Sequence, residues 1–195
     1  MGALKTPHGG ELKNLYLGKD ERAAEKAASK DLKSWDLTPR QMCDIELILN
    51  GGFSPLDGFL GQADYENVVA NLRLADGLLW PMPVNLDVSQ DFADTVDLGE
   101  TIALRDREGV LIATMQISDK WTPDRREEAR LVLGTLDDLH PEVDRLLNHC
   151  GPVYLGGSLR GVEAPVHFDF THNRHTPQEL RDLFAKWSWR KVVVS

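Results

Sequence analysis

The chain has 195 residues, with 31 acidic and 22 basic side chains and a formal net charge of −9. Apolar residues make up 42% and charged residues 27%, which suits one domain with a sizeable core and excludes a wholly disordered chain. The acidic balance disfavours a general polyanion binder, and no run of about 18 apolar residues exists to span a membrane.

Residues 6–18 mix Pro, Gly and alternating Leu12, Leu15 and Leu17, which suits a short strand. Residues 20–30, rich in Ala, Glu and Lys, read as an exposed helix. The next helix has a stronger signature. Thr38 is an N-cap, Pro39 suits the first helical position, Gln41 completes a capping box, and Met42, Ile45, Ile48 and Leu49 form an apolar stripe. Asn50-Gly51-Gly52 stops it. Residues 62–73 predict another helix, with Tyr65, Val68, Val69 and Leu72 inward.

The middle of the chain changes period. Pro81 and Pro83 break any helix, and residues 84–88, 101–104 and 110–117 read as strands. Leu111, Ala113, Met115 and Ile117 alternate with Ile112, Thr114 and Gln116, the pattern of a half-buried strand in an antiparallel sheet. Helices are expected at 124–133 and 141–149. A strand follows at 152–164, with Gly156-Gly157 as a bend or bulge. Near the carboxyl end, Thr176-Pro177-Gln178-Glu179 repeats the cap logic, and Leu180, Leu183, Phe184 and Trp187 share one helix face. Val192-Val193-Val194 suits a strand buried on both faces. Helix followed by buried strand is how a parallel α/β unit begins, so this end reads as a truncated second unit.

Few residues carry an obvious chemical signature. Cys43 and Cys150 are too few for a disulfide framework, and no apolar leader opens the chain, so a reducing, cytosol-like compartment is expected. Cys43 has acidic neighbours and is expected to be packed and inert. The stretch from Asn50 to Phe59 lacks the lysine and spacing of a phosphate loop, and reads as a tight connection docking Phe53 and Phe59. His167, Asp169, His172 and His175 crowd into nine residues, but their spacing matches no metal pattern, and a polar interdomain linker is expected. Arg125-Arg126 with Glu127-Glu128 reads as a solvated mixed-charge face. Trp187 and Trp189 are expected to lack cover. The residues alone specify an α+β domain and stop short of an activity.

Several blocks in order resemble one family: Pro7-His8-Gly9-Gly10-Glu11-Leu12, Arg40-Gln41 with Cys43-Asp44, and Gly51-Gly52-Phe53-Ser54-Pro55-Leu56 with Gly58-Phe59. Arg73-Leu74-Ala75-Asp76-Gly77, Pro81-Met82-Pro83, Tyr154-Leu155-Gly156-Gly157 and Thr176-Pro177 continue the match. The chain resembles the amino-terminal domain of the ATP sulfurylase (sulfate adenylyltransferase) family, of the fungal and related bacterial type.

The resemblance implies a PUA-like mixed β pseudobarrel with flanking helices over residues 1–169. Residues 170–195 would be the first helix and strand of a truncated, Rossmann-like nucleotidyltransferase domain. It implies a parent enzyme that converts ATP and sulfate, with magnesium, to adenosine 5′-phosphosulfate and pyrophosphate in sulfate assimilation. The parent is expected to be cytoplasmic, without nucleic-acid or membrane partners, and capable of homo-oligomerising through the complete subunit. The family's Gln-Thr-Arg-Asn-Pro and His-x-x-His motifs have no counterpart here, and His172 and His175 do not occupy that place. The expectation is therefore no catalytic, substrate-binding or metal residue in this chain, no cofactor of its own, and no activity alone. The alternative is a stand-alone PUA-like module that binds RNA or docks on a sulfurylase subunit.

Overall fold

The computed structural model describes residues 4–189. Its centre is a six-stranded mixed sheet built on strand β6 (Val153–Gly161). Strand β5 (Leu111–Trp121) pairs antiparallel with one edge of β6. Two short strands, β2 (Gly58–Phe59) and β3 (Leu86–Val88), also pair antiparallel with β6. Strand β4 (Thr101–Arg105) continues the sheet antiparallel to β5, and β1 (Ser34–Asp36) adds to β4 in parallel. The expected antiparallel pattern thus holds for the central strands. The parallel β1, too short to carry its own period, is an addition.

Close backbone approach fixes how these strands meet. A Cβ on Gly58 would lie 1.8 Å from the Gly157 carbonyl oxygen, and one on Gly157 would lie 2.1 Å from that of Gln116. Only bare backbone fits between β2, β6 and β5 here. The predicted irregularity is displaced to the partner strand. The register shifts between Ile117 and Asp119, opposite Gly157 and Gly156, so Ser118 is the extra residue of a bulge.

Helix α2 (Pro39–Leu49) forms as its sequence predicts. The Gln41 amide donates to Thr38 Oγ1 (3.3 Å), and the Thr38 amide donates to Gln41 Oε1 (3.0 Å). Ile45, Ile48 and Leu49 are fully buried, each worth about 1.5–3 kcal/mol of burial. Helix α1 (Lys19–Ala28) is exposed as expected and buries no residue. It still changes β5. Glu25 of α1 accepts a hydrogen bond from Thr114 Oγ1 (2.5 Å), and Ile112 and Thr114 are as buried as their alternating neighbours. The half-buried pattern appears only further on, where Gln116 and Ser118 are exposed.

Other expectations shift for local reasons. Residues 6–18 form an isolated bridge, Tyr16 to Gly161, in place of a strand. Helix α3 (Gln62–Asn71) ends two residues early, because Leu72 takes a left-handed φ of 57° as its cap and is exposed. A short helix α4 (Gln90–Ala93) follows β3, capped by Ser89. The expected helices at 124–133 and 141–149 each begin as one α turn, α5 (Arg125–Glu128) and α6 (Pro141–Asp144). They continue as wider π turns, Ala129–Leu133 and Arg145–His149. Helix α7 (Pro177–Lys186) carries the second predicted capping box, with the Glu179 amide donating to Thr176 Oγ1. The expected strand at Val192–Val194 lies outside the described residues.

Gly157→Ala is expected to cost about 3 kcal/mol or more, read as a lower urea midpoint, because the new methyl meets carbonyl backbone on a central strand. The exposed neighbour Ser158→Ala should stay within about 0.5 kcal/mol.

Candidate functional site

Buried polar groups are where a site's chemistry would lie. Glu128 at the end of α5 is buried, contrary to the expected solvated face. Its neighbour Arg125 also turns inward, donating to the carbonyls of Cys150 (2.7 Å) and Leu146 (3.3 Å). The reason is the tight turn capped by Asp124, which rotates only part of the charged run outward. Glu128 Oε2 accepts from Tyr65 (2.9 Å) and Tyr154 (3.2 Å), and both rings pack on Trp121. Burial holds the Glu128 carboxyl above the ordinary glutamate range, partly offset by the two phenols. Burial and the carboxylate push both phenols up as well. This cluster fastens α5 to α3 and the sheet, and its donors are committed.

A second polar set fixes α2. The buried Gln41 accepts from Trp35 Nε1 (3.2 Å) and donates to the Asp87 carbonyl (2.8 Å) and Oδ1 (2.9 Å). Asp87 Oδ2 in turn accepts from the Gly151 amide (2.8 Å). Beside it, Arg145 grips Glu142 in a bidentate pair and donates to Cys150 Sγ. Burial, then the Asp87 carboxylate, raises the Cys150 thiol, which is the opposite of an activated nucleophile. Cys43 is exposed, where a packed thiol was expected. The helical period explains it: Gln41, Ile45 and Ile48 face the core, so Cys43 and Leu47 face out.

The histidine-rich stretch does not converge. His167 Nε2 lies 2.9 and 3.0 Å from the two carboxylate oxygens of Glu46 on α2. Next to that carboxylate, the Tyr16 phenol is pushed up to about 12, by burial first and Glu46 second. Asp169 pairs with Arg174 (2.9 Å), while His172 and His175 are exposed. Among the described residues, no group of three or more His, Cys, Asp or Glu is arranged to hold a metal ion. The Asn50–Phe59 segment is a core connection as expected: Leu56 and Phe59 are buried, and Phe53 meets Trp80 edge-on at 5.9 Å.

Four buried polar atoms lack a hydrogen-bond partner, Arg22 Nε, Asp44 Oδ2, Asn85 Oδ1 and Trp121 Nε1, and they lie apart from the exposed apolar side chains near the carboxyl end. Val166, Phe168 and Phe170 are 74%, 93% and 70% exposed. Val166 and Phe168 alternate with the half-buried Pro165 and His167, so a strand-like period turns these two outward, and Phe170 follows the exposed Asp169 in a left-handed turn. Val166 and Phe168 border a groove of about 470 Å³ floored by Leu37, Met42 and Ile112. Helix α7 buries none of its residues, and Trp187 and Trp189 meet at a tilt of 45° with ring centroids 4.8 Å apart, about half exposed. Large exposed apolar patches are the usual surface signature of an interaction site. The lack of cover at Trp187 and Trp189 was legible in the sequence. The outward pair at 166 and 168 was missed, although its period-two spacing was the available signal.

Comparisons with known proteins fit this geometry. The PUA-like domain family matches residues 5–164. The sulfate adenylyltransferase of Eremothecium gossypii is 46% identical over 97% of this chain, and that of Saccharomyces cerevisiae is 44% identical over 97%. The Schizosaccharomyces pombe enzyme is 49% identical over 80%. The chain spans 38% of the length of the first two relatives and 32% of the third. A solved structure described as a hexameric APS kinase from Thiobacillus denitrificans superposes with a TM-score of 0.76 at 33% identity. That match covers 96% of this chain and 33% of the other.

Two outcomes check the site. The folded chain holds a proton on Glu128 at a pH where the unfolded chain has lost it, so stability falls as pH rises from the ordinary 4.5 through the raised value. Glu128→Gln should flatten that slope in urea unfolding measured at several pH values; an unchanged slope would mean the buried carboxylate ionises without cost. Deleting residues 170–195 should move the melting temperature by less than about 3 °C, since α7 buries nothing, and should lower the binding of an apolar dye.

Proposed function

The chain belongs to the PUA-like domain family, and from that premise we propose that it forms the amino-terminal part of a sulfate adenylyltransferase. The observation that carries this reading is the match to the fungal enzymes along 97% of this chain, which accounts for only 38% of their length. In this reading, residues 1–169 are a PUA-like pseudobarrel with a structural and assembly role. Residues 170–195 begin the nucleotidyltransferase domain, with α7 as the first helix of its Rossmann-like fold.

The whole enzyme would be cytoplasmic and would join ATP to sulfate. A sulfate oxygen attacks the α-phosphorus, the bond to the β-phosphate oxygen breaks, and pyrophosphate leaves. Magnesium would accompany ATP there, bound by residues outside this chain. The polar side chains described above are spent on one another: Glu128 on two tyrosines, Gln41 on Asp87, His167 on Glu46. This chain's part is to present the apolar face of residues 166–189 to the remainder of the subunit. Contact between copies, as in the hexameric structural relative, would run through the complete subunit. The charge of −9 disfavours RNA as an alternative partner.

The test is the reverse reaction. Adenosine 5′-phosphosulfate, pyrophosphate and magnesium are supplied, and ATP is read as light. The chain alone should give background signal, and the chain joined to the remaining portion of a fungal relative should give ATP. Turnover by the chain alone would overturn the assignment of a structural role.

A further inference from the structure

A cleft of about 270 Å³ opens between α3 and the segment that leaves β5. Tyr65, Glu66 and Val69 share one face of α3 and form one wall. Trp121, Asp124 and Glu127 form the other. The floor is aromatic: Tyr65 and Trp121 are both buried, with ring centroids 5.6 Å apart. The Tyr65 hydroxyl is committed to Glu128, so its ring is what it offers the cleft. Trp121 is only 8% exposed, and its Nε1 donates to no acceptor. A buried N–H without a partner is rare in a folded chain, and this one belongs to a cleft-lining side chain.

The rim is acidic. Glu66 and Asp124 are exposed, and Glu127 is half-buried. Glu66 Oε1 accepts from the Gln62 side chain (2.7 Å), and Asp124 Oδ1 accepts from the Glu127 amide (3.0 Å). Among the described residues, neither of these two carboxylates is paired with a basic group. Their charge reaches the floor: the Tyr65 phenol is pushed up by burial first and Glu128 next, with Asp124 and Glu66 adding to it. Glu127 shows what such a rim takes. Arg130 forks onto it through Nε (2.8 Å) and Nη2 (2.6 Å), so one guanidinium of the chain already sits there.

We propose that this cleft binds an arginine side chain presented by a segment of a partner protein. A planar guanidinium stacks on aromatic rings and forks onto carboxylates, and the cleft offers both surfaces side by side. Its volume suits one long side chain and lies below the roughly 300–1,000 Å³ of ordinary small-molecule pockets. The peptide backbone beside the arginine brings the carbonyl acceptor that Trp121 Nε1 lacks, which a bare cation or a polyamine has no means to supply. The chain's net charge of −9 favours the approach of a basic partner. The site is remote in sequence from residues 166–189, and it stands apart from the sulfurylase assignment, which the light assay tests separately.

The probe is the capped peptide acetyl-Gly-Arg-Gly-amide, titrated into the full nitrogen-15-labelled chain and followed by the shifts of amide and indole N–H signals. Trp121→Phe identifies the Trp121 indole signal by its loss. The peptide should move that signal and the amides of α3 and α5 saturably. A citrulline peptide, which keeps the shape and loses the charge, should bind about tenfold more weakly. Glu66→Gln with Asp124→Asn, in which the new amides keep the hydrogen-bond acceptors, should weaken the arginine peptide about fivefold with the melting temperature unchanged. Arg130→Gln, which frees Glu127, should tighten it about twofold. The proposal is overturned by the absence of a saturable shift up to about 50 mM peptide, by equal affinity for the citrulline peptide, or by shifts that leave Trp121 and α3 unmoved. Spermidine binding as tightly as the peptide would also overturn it, leaving an acidic rim that attracts any cation.

Discussion

The structure depends on how closely backbone can approach strand β6. Three strands and the Tyr16 segment all pair with it, and Gly157 leaves room for the Gln116 carbonyl where any side chain would collide. Gly58 makes the same allowance from the β2 side. The bulge at Ser118 then absorbs the mismatch between β5 and this crowded stretch. With β6 so placed, β5 and β4 follow antiparallel, and α2 packs Ile45, Ile48 and Leu49 beneath the sheet.

The buried polar groups serve the same assembly. Gln41 links α2 to both Trp35 and Asp87, and Glu128 ties the helical turns after β5 to Tyr65 and Tyr154. A buried polar network holds position when its members are satisfied, and a satisfied network has little left for catalysis. The partners of these groups are internal, and the least satisfied surface is the apolar row that leads into α7. The internal polar groups are spent on the body, and exposed apolar side chains lie toward α7.

Much of this was legible where local chemistry decides. The Thr38 and Thr176 capping boxes, the apolar stripe of α2 and the strands at β4, β5 and β6 follow from period and cap residues alone. The block from Asn50 to Phe59 also read correctly as a connection. The losses occurred where a distant element intervenes. Thr114 looked solvent-facing until Glu25 of α1 covered it. Glu128 looked solvated until the turn at Asp124 aimed it at two tyrosines far away in sequence. Cys43 looked packed because cysteines usually are, although the period of α2 already turned it outward. His167 read as one of a histidine group, and only the fold paired it with Glu46.

The central claim is that the chemistry of the proposed enzyme lies outside these residues, while the chain supplies a rigid body and an interaction face. The most direct measurement is the heat of mixing this chain with ATP and magnesium over a wide concentration range. The account predicts no saturable binding. A saturable isotherm with defined stoichiometry would contradict it and place a nucleotide site among side chains assigned here to structure.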